Sequence, residues 1–129
     1  EDEKLAAQIN AALLTAKQPK ADVWLANTPQ QAWAAVGRAD LLLGMRLHSL
    51  IMAAAQGVPA LAVSYDPKVE AFAASVQMAL AEGGVSLPAE QVAAQLLALP
   101  KRPVAYPLGP LLAGWQPLLA AICRILADK

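Results

Sequence analysis

Two short runs without a single polar residue, Leu41-Leu42-Leu43 and Ala60-Leu61-Ala62-Val63, restrict the fold of this chain more than any other feature. Strands that are apolar at every position, rather than at alternate ones, are covered on both faces, and such strands belong to parallel sheets. Between the two runs lies an apolar helical stretch from Arg46 to Gln56, stopped by Gly57 and followed by Pro59, a common way for a helix to end. Strand, helix and parallel strand make a right-handed crossover. Both strands then finish at the same edge of the sheet. The turns Gly44 to His48 and Tyr65 to Lys68 are therefore expected side by side at the carboxyl edge, where open α/β sheets bind ligands.

Those two turns hold the chain's most distinctive polar groups. Arg46 and His48, the only histidine of 129 residues, open the first helix, and Asp66-Pro67-Lys68 opens the next. Free N–H groups at helix N-termini and their positive dipole ends favour an anion. Arg46 and Lys68 add full charges. The expected pocket binds an anion and contains one imidazole able to move a proton near neutral pH. Asp66 reads as an N-cap rather than a catalytic acid, and Gly44 as a residue that permits close backbone approach.

The composition narrows the classes of function. A length of 129 residues suits one domain with one core. Formal net charge is zero with 16% charged residues, which gives no basic surface for nucleic acid. Hydrophobic residues make up 57%, but no uninterrupted apolar run reaches the roughly 18 residues expected of a membrane span. The single Cys123 excludes an internal disulfide, and one Cys with one His makes a zinc site unexpected. No metal or cofactor is implied. Glu1 opens directly into a helical run without a methionine, and the expectation is a fragment, residues 1–129 forming one domain whose surplus apolar surface faces a missing part.

Along the chain the spacing predicts an amphipathic helix from Glu3 to Lys17, a short strand from Asp22 to Ala26, and a helix starting at Thr28-Pro29 and running to about Val36. The strand at Asp40 to Leu43, the Arg46 helix, a strand from Val58 to Ser64 and a helix from Val69 to about Val76 follow. Met78 to Glu82 fits either a continued helix or a short strand. Gly83-Gly84 is a break, Val85 to Leu87 reads as extended, and Pro88 to Leu99 as helical. Residues 100–110 carry four prolines and read as a loop, and residues 111–128 as a C-terminal helix kinked by Pro117. Trp24, Trp33 and Trp115 read as core or interface residues, and Met45, Met52 and Met78 as core filler.

The elements Gly44-Met45-Arg46-Leu47-His48, the helix ending in Gly57-Val58-Pro59, and Ser64-Tyr65-Asp66-Pro67-Lys68 together resemble the C-terminal half of the polysaccharide pyruvyl transferase family, the bacterial cell-surface-polymer pyruvyltransferases. The likeness covers about the first 75 residues best. It implies a three-layer, Rossmann-like α/β domain with a mainly parallel sheet, the second half of a two-domain enzyme of the GT-B type. The missing N-terminal domain would be its partner in cis. It further implies transfer of a pyruvyl group from phosphoenolpyruvate to two hydroxyls of a cell-surface polysaccharide, or of its lipid-linked or nucleotide-linked precursor. The products would be a pyruvate ketal and phosphate. By that resemblance His48 is the catalytic residue, and Arg46, Lys68, Gly44 and Tyr65 contact substrate. The reaction would take place in the cytoplasm or at the inner face of the membrane, and the fragment alone would be inactive.

Two other classes fit parts of the chain. A nucleotide-sugar-dependent glycosyltransferase of the same fold wants a glutamate near this helix to hold ribose, and Arg46 to Gly57 contains no acidic residue. A non-catalytic binding domain would use the apolar C-terminal helix to dock a partner, and it predicts no affinity for phosphoenolpyruvate.

Overall fold

In the computed structural model, which describes residues 2–127, the two all-apolar runs are neighbouring parallel strands. β1 (Leu42–Gly44) pairs with β2 (Ala60–Ala62), with Leu42 opposite Ala60 and Gly44 opposite Ala62. β3 (Ala79–Leu80) adds to the far side of β2, also parallel, so the sheet order is β1-β2-β3. The described residues also form six helices: α1 (Asp2–Thr15), α2 (Pro29–Gly37), α3 (Leu47–Ala55), α4 (Pro67–Ser75), α5 (Ala89–Leu97) and α6 (Gly109–Ala127). The result is α/β with a small parallel sheet, consistent with the Rossmann-like expectation.

β2 is buried at all three positions, which is the physical reason for its unbroken apolar sequence. Ala60 and Ala62 pack with Leu50, Ala53, Val69 and Ala73 of α3 and α4 on one face. Leu61 and Val63 pack on the other with Ala81 and with Val92 and Leu96 of α5. Alanine on the α3 face lets both helices come close to the sheet. The larger residues fill the α5 face, where one helix has more space to cover. Leu50 is wholly buried, and sealing such a side chain from water contributes about 1.5–3 kcal/mol.

The segment from Pro100 to Leu108, read as a loop, is irregular, yet it is anchored. The Tyr106 hydroxyl accepts from the Ala60 N–H at 3.0 Å and donates to the Val58 carbonyl at 3.0 Å. The Arg102 guanidinium donates to the Gly37 and Ala39 carbonyls, and the Val104 N–H to that of Gly57. These bonds close the amino end of β2 and satisfy backbone groups that the short strands leave over.

Several sequence expectations need correction. Asp22 to Ala26 is not a strand; it is irregular, and Val23, Trp24 and Leu25 are exposed. Side chains tie the backbone at its two ends, Ala21 N–H to Asn10 Oδ1 and Asn27 N–H to Gln31 Oε1, and no β-ladder forms. Of Val85 to Leu87 only Leu87 is extended: residues Gly84–Ser86 form a 3-10 turn entered through left-handed Gly83 and Gly84. The ambiguous stretch Met78 to Glu82 contains β3. Trp24 and Trp33 are about half exposed, which removes the core alternative of their core-or-interface reading, and Met45 is exposed, while Met78 is buried as expected. Pro117 lies inside α6. The Trp115 side chain, and Asp128 at the end of the expected C-terminal helix, lie outside the described residues.

Candidate functional site

Three crossover turns converge on the carboxyl edge of the sheet. The Val63 N–H donates to the Gly44 carbonyl at 2.9 Å, joining the turn after β1 to the end of β2, and the Ala81 N–H donates to the Ala62 carbonyl at 2.8 Å. Gly84 then brings the turn after β3 against Ser64. Its φ is +57°, and a β-carbon there would stand 2.5 Å from the Ser64 carbonyl oxygen. Only glycine combines that dihedral with that approach.

The two helices that begin at this edge differ in how their N-termini are satisfied. At α4, Asp66 is the N-cap in extended conformation, and its Oδ1 accepts from the Lys68 N–H at 2.9 Å; Pro67 at the first helical position has no N–H to satisfy. At α3 the N-cap position is Arg46, and no side chain caps the helix among the described residues. Arginine has no acceptor to offer, so the first-turn N–H groups of Leu47 and His48 are without an intrahelical partner. Asp66 is the N-cap that the sequence indicated, so of the two helix ends at this edge only that of α3 lacks a side-chain cap among the described residues. α3 offers free donors to an anion, and α4 has its own carboxylate in that place.

The site residues named from the sequence separate by burial. Arg46, His48 and Lys68 are exposed, Tyr65 is 60% exposed, and Gly44 is buried under the first turn of α3. Ser49 Oγ donates to the Arg46 carbonyl at 2.7 Å, bracing the turn that presents Arg46 and His48. The backbone brings the Gly44 to His48 turn and the Tyr65 to Lys68 turn together, as the crossover requires, through the Val63 to Gly44 bond. On the α5 side of the same edge lies an apolar groove of about 560 Å³ lined by Leu43, Met45, Val63, Leu87, Val92 and Leu96. The assignment of Met45 as core filler is therefore replaced by a place on the groove wall.

Sequence reasoning missed Ser64. It is a buried polar residue at the end of an apolar strand, and its hydroxyl is shared between the Asp66 carbonyl at 3.1 Å and Glu70 Oε1 at 2.9 Å. The available signal was a lone hydroxyl closing the run Ala60 to Val63.

Residues 4–67 match the family model described as polysaccharide pyruvyl transferase. Over these residues the chain belongs to the polysaccharide pyruvyl transferase family. The matched segment runs from α1 to the first residue of α4, and it contains Gly44, Arg46, His48 and Tyr65; Lys68 is the next residue after it. Comparison with curated proteins and with solved structures gave no match. The family is one of transferases, and polysaccharide pyruvyl transfer is the general activity it carries. Among the described residues no helix is long and apolar enough to cross a membrane.

Proposed function

We propose that this pyruvyl transferase domain binds phosphoenolpyruvate at the open N-terminus of α3 and supports ketal formation on a sugar of a cell-surface glycan or its lipid-linked precursor. The observation that carries this reading is the uncapped α3 terminus, with Arg46 at the cap position and His48 in the first turn. It lies within the family segment and beside the Tyr65 to Lys68 turn. Phosphoenolpyruvate presents a phosphate and a carboxylate. Arg46 can hold one of them bidentately, Lys68 supplies a second cation, and the Leu47 and His48 N–H groups supply neutral donors.

The chemistry adds a proton to C3 of the donor, makes two C–O bonds from sugar hydroxyls to C2, and breaks the bond from C2 to the phosphate oxygen. Of the two hydroxyl protons, one balances the proton gained at C3 and the other leaves with phosphate. An exposed imidazole beside the bound anion suits proton transfer in either direction, and His48 is assigned that role. Tyr65, exposed at the same edge, is assigned to substrate binding. A further domain in the manner of a GT-B enzyme, supplying the rest of the acceptor site, and a reaction in the cytoplasm or at the inner membrane face complete the proposal.

Calorimetric titration with phosphoenolpyruvate, using inorganic phosphate as control anion, tests it. Saturable binding that prefers phosphoenolpyruvate and weakens in Arg46→Ala and Lys68→Ala is the expected result. Binding that is indifferent to both substitutions would remove the donor site from this edge.

A further inference from the structure

We infer that Ser64 and Glu70 form a positioning pair that fixes the Tyr65 to Lys68 turn for the donor, an inference that rests on the donor site proposed above. Ser64 is only 8% exposed and stands where β2 gives way to that turn. Its hydroxyl reaches forward six residues to Glu70 Oε1 at 2.9 Å and also lies 3.1 Å from the Asp66 carbonyl. A serine hydroxyl has one proton to donate. Carboxylate is the stronger acceptor, so the bond to Glu70 is the dominant one. It spans the whole turn, from the buried Ser64 two residues beyond β2 to the first turn of α4.

Behind the turn, the Gly84 backbone lies so close to the Ser64 carbonyl that only glycine fits there, since a β-carbon would stand 2.5 Å from the oxygen. In front, the Asp66 cap fixes the Lys68 N–H. The backbone that carries Lys68 is therefore held through three separate contacts, and the Ser64–Glu70 bond is the one between two side chains.

A purely structural role accounts for the bond less well. Glu70 is an exposed residue, and a free carboxylate there would be hydrated without penalty. Turning it inward gives up hydration and side-chain freedom in exchange for one hydrogen bond, which leaves little net stability. What the bond does supply is a fixed position for the turn.

The test is calorimetry with phosphoenolpyruvate on the protein and on Ser64→Ala, Glu70→Ala, the double variant and Glu70→Gln, with Arg46→Ala as a reference and thermal unfolding measured on each. Each of Ser64→Ala and Glu70→Ala should raise Kd about five- to tenfold, the loss of one charge-assisted hydrogen bond. The double variant should be no weaker than either single one, because both remove the same bond. Glu70→Gln keeps an acceptor oxygen and should stay within about twofold of the parent. Lowered melting temperatures with unchanged Kd in both single variants, or additive losses in the double variant, would overturn the positioning role. If Arg46→Ala also leaves Kd unchanged, the donor reading itself fails and the pair falls with it; a tenfold loss in Arg46→Ala beside unchanged Ser64→Ala and Glu70→Ala rejects the pair alone.

Discussion

Leu50 Cδ2 lies 2.6 Å from the point where a β-carbon on Gly44 would stand. Leu50 is wholly buried, and a β-carbon at position 44 would also meet Ser49 Oγ at 3.2 Å, so α3 sits against β1 at a distance that suits glycine there. Gly44→Ala should cost about 1–3 kcal/mol, the usual range for forcing one extra carbon into a packed core. Urea unfolding should show this as a lower midpoint at unchanged slope. Because α3 carries Arg46 and His48, the variant should also bind phosphoenolpyruvate less tightly. An unchanged midpoint would mean that the helix can lift from the strand without loss.

At the α4 terminus stability and anion binding should respond in opposite directions. Asp66 Oδ1 occupies the Lys68 N–H, and its charge stands beside the proposed donor. Asp66→Ala should lower stability by about 0.5–2 kcal/mol through loss of the cap. The same change frees an N–H and removes a repelling carboxylate, so phosphate should bind about two- to fivefold more tightly, in line with charge effects of about 0.3–1 kcal/mol at helix ends. Thermal unfolding and phosphate titration on the same preparation read both signs. Weaker phosphate binding would place the anion elsewhere than between the two turns.

The central crossover was legible because its signals are local and repeated. All-apolar Ala60 to Val63 meant a strand covered on both faces, and Thr28-Pro29, Asp66-Pro67 and Gly57 marked helix ends that the structure places within a residue or two. The same rules put Gly44 to His48 beside Tyr65 to Lys68. What failed lacked such support. Val23-Trp24-Leu25 has strand-forming residues, but a strand exists only with a ladder partner, and side chains of Asn10 and Gln31 take the flanking N–H groups instead. Val85 to Leu87 follows two left-handed glycines, whose dihedrals curl the chain into a turn whatever the β-propensity of valine. The closing of the α4 end by Asp66 was legible, whereas the uncapped α3 end and the Ser64 to Glu70 link depended on side-chain geometry that spacing alone does not report.

Tyr106 makes an alkaline limit to stability. Burial raises its pKa above 10.0, and the hydrogen bond with Ala60 opposes this less strongly. The folded state therefore holds the phenol proton more tightly than the unfolded state does. Stability from this group is complete below pH 10 or so, where both states are protonated, and it is lost as pH rises from there through the folded pKa. Tyr106→Phe leaves the Ala60 N–H without its partner and should cost about 1–3 kcal/mol at neutral pH. It should also flatten the fall in stability above pH 10. A variant that keeps the full alkaline decline would assign the decline to other groups.

His48 and Arg46 share one turn of α3 but should fail in different kinetic terms. In the proposed site Arg46 would meet the donor as a cation in both ground and transition states, so Arg46→Ala should raise Kd for phosphoenolpyruvate by about 10-fold or more, as expected when a charge-assisted hydrogen bond is removed. Arg46→Lys should recover only part of the loss, because an ammonium cannot form the two parallel bonds of a guanidinium. His48 is assigned to proton transfer, so His48→Ala should leave Kd within about threefold and lower turnover by about 10²- to 10⁴-fold. Calorimetry gives the first quantity, and phosphate released in the presence of a sugar acceptor gives the second. If His48→Ala instead weakens binding as much as Arg46→Ala while turnover at saturating donor is unchanged, the imidazole is a donor-binding group and the proton must be moved by another residue.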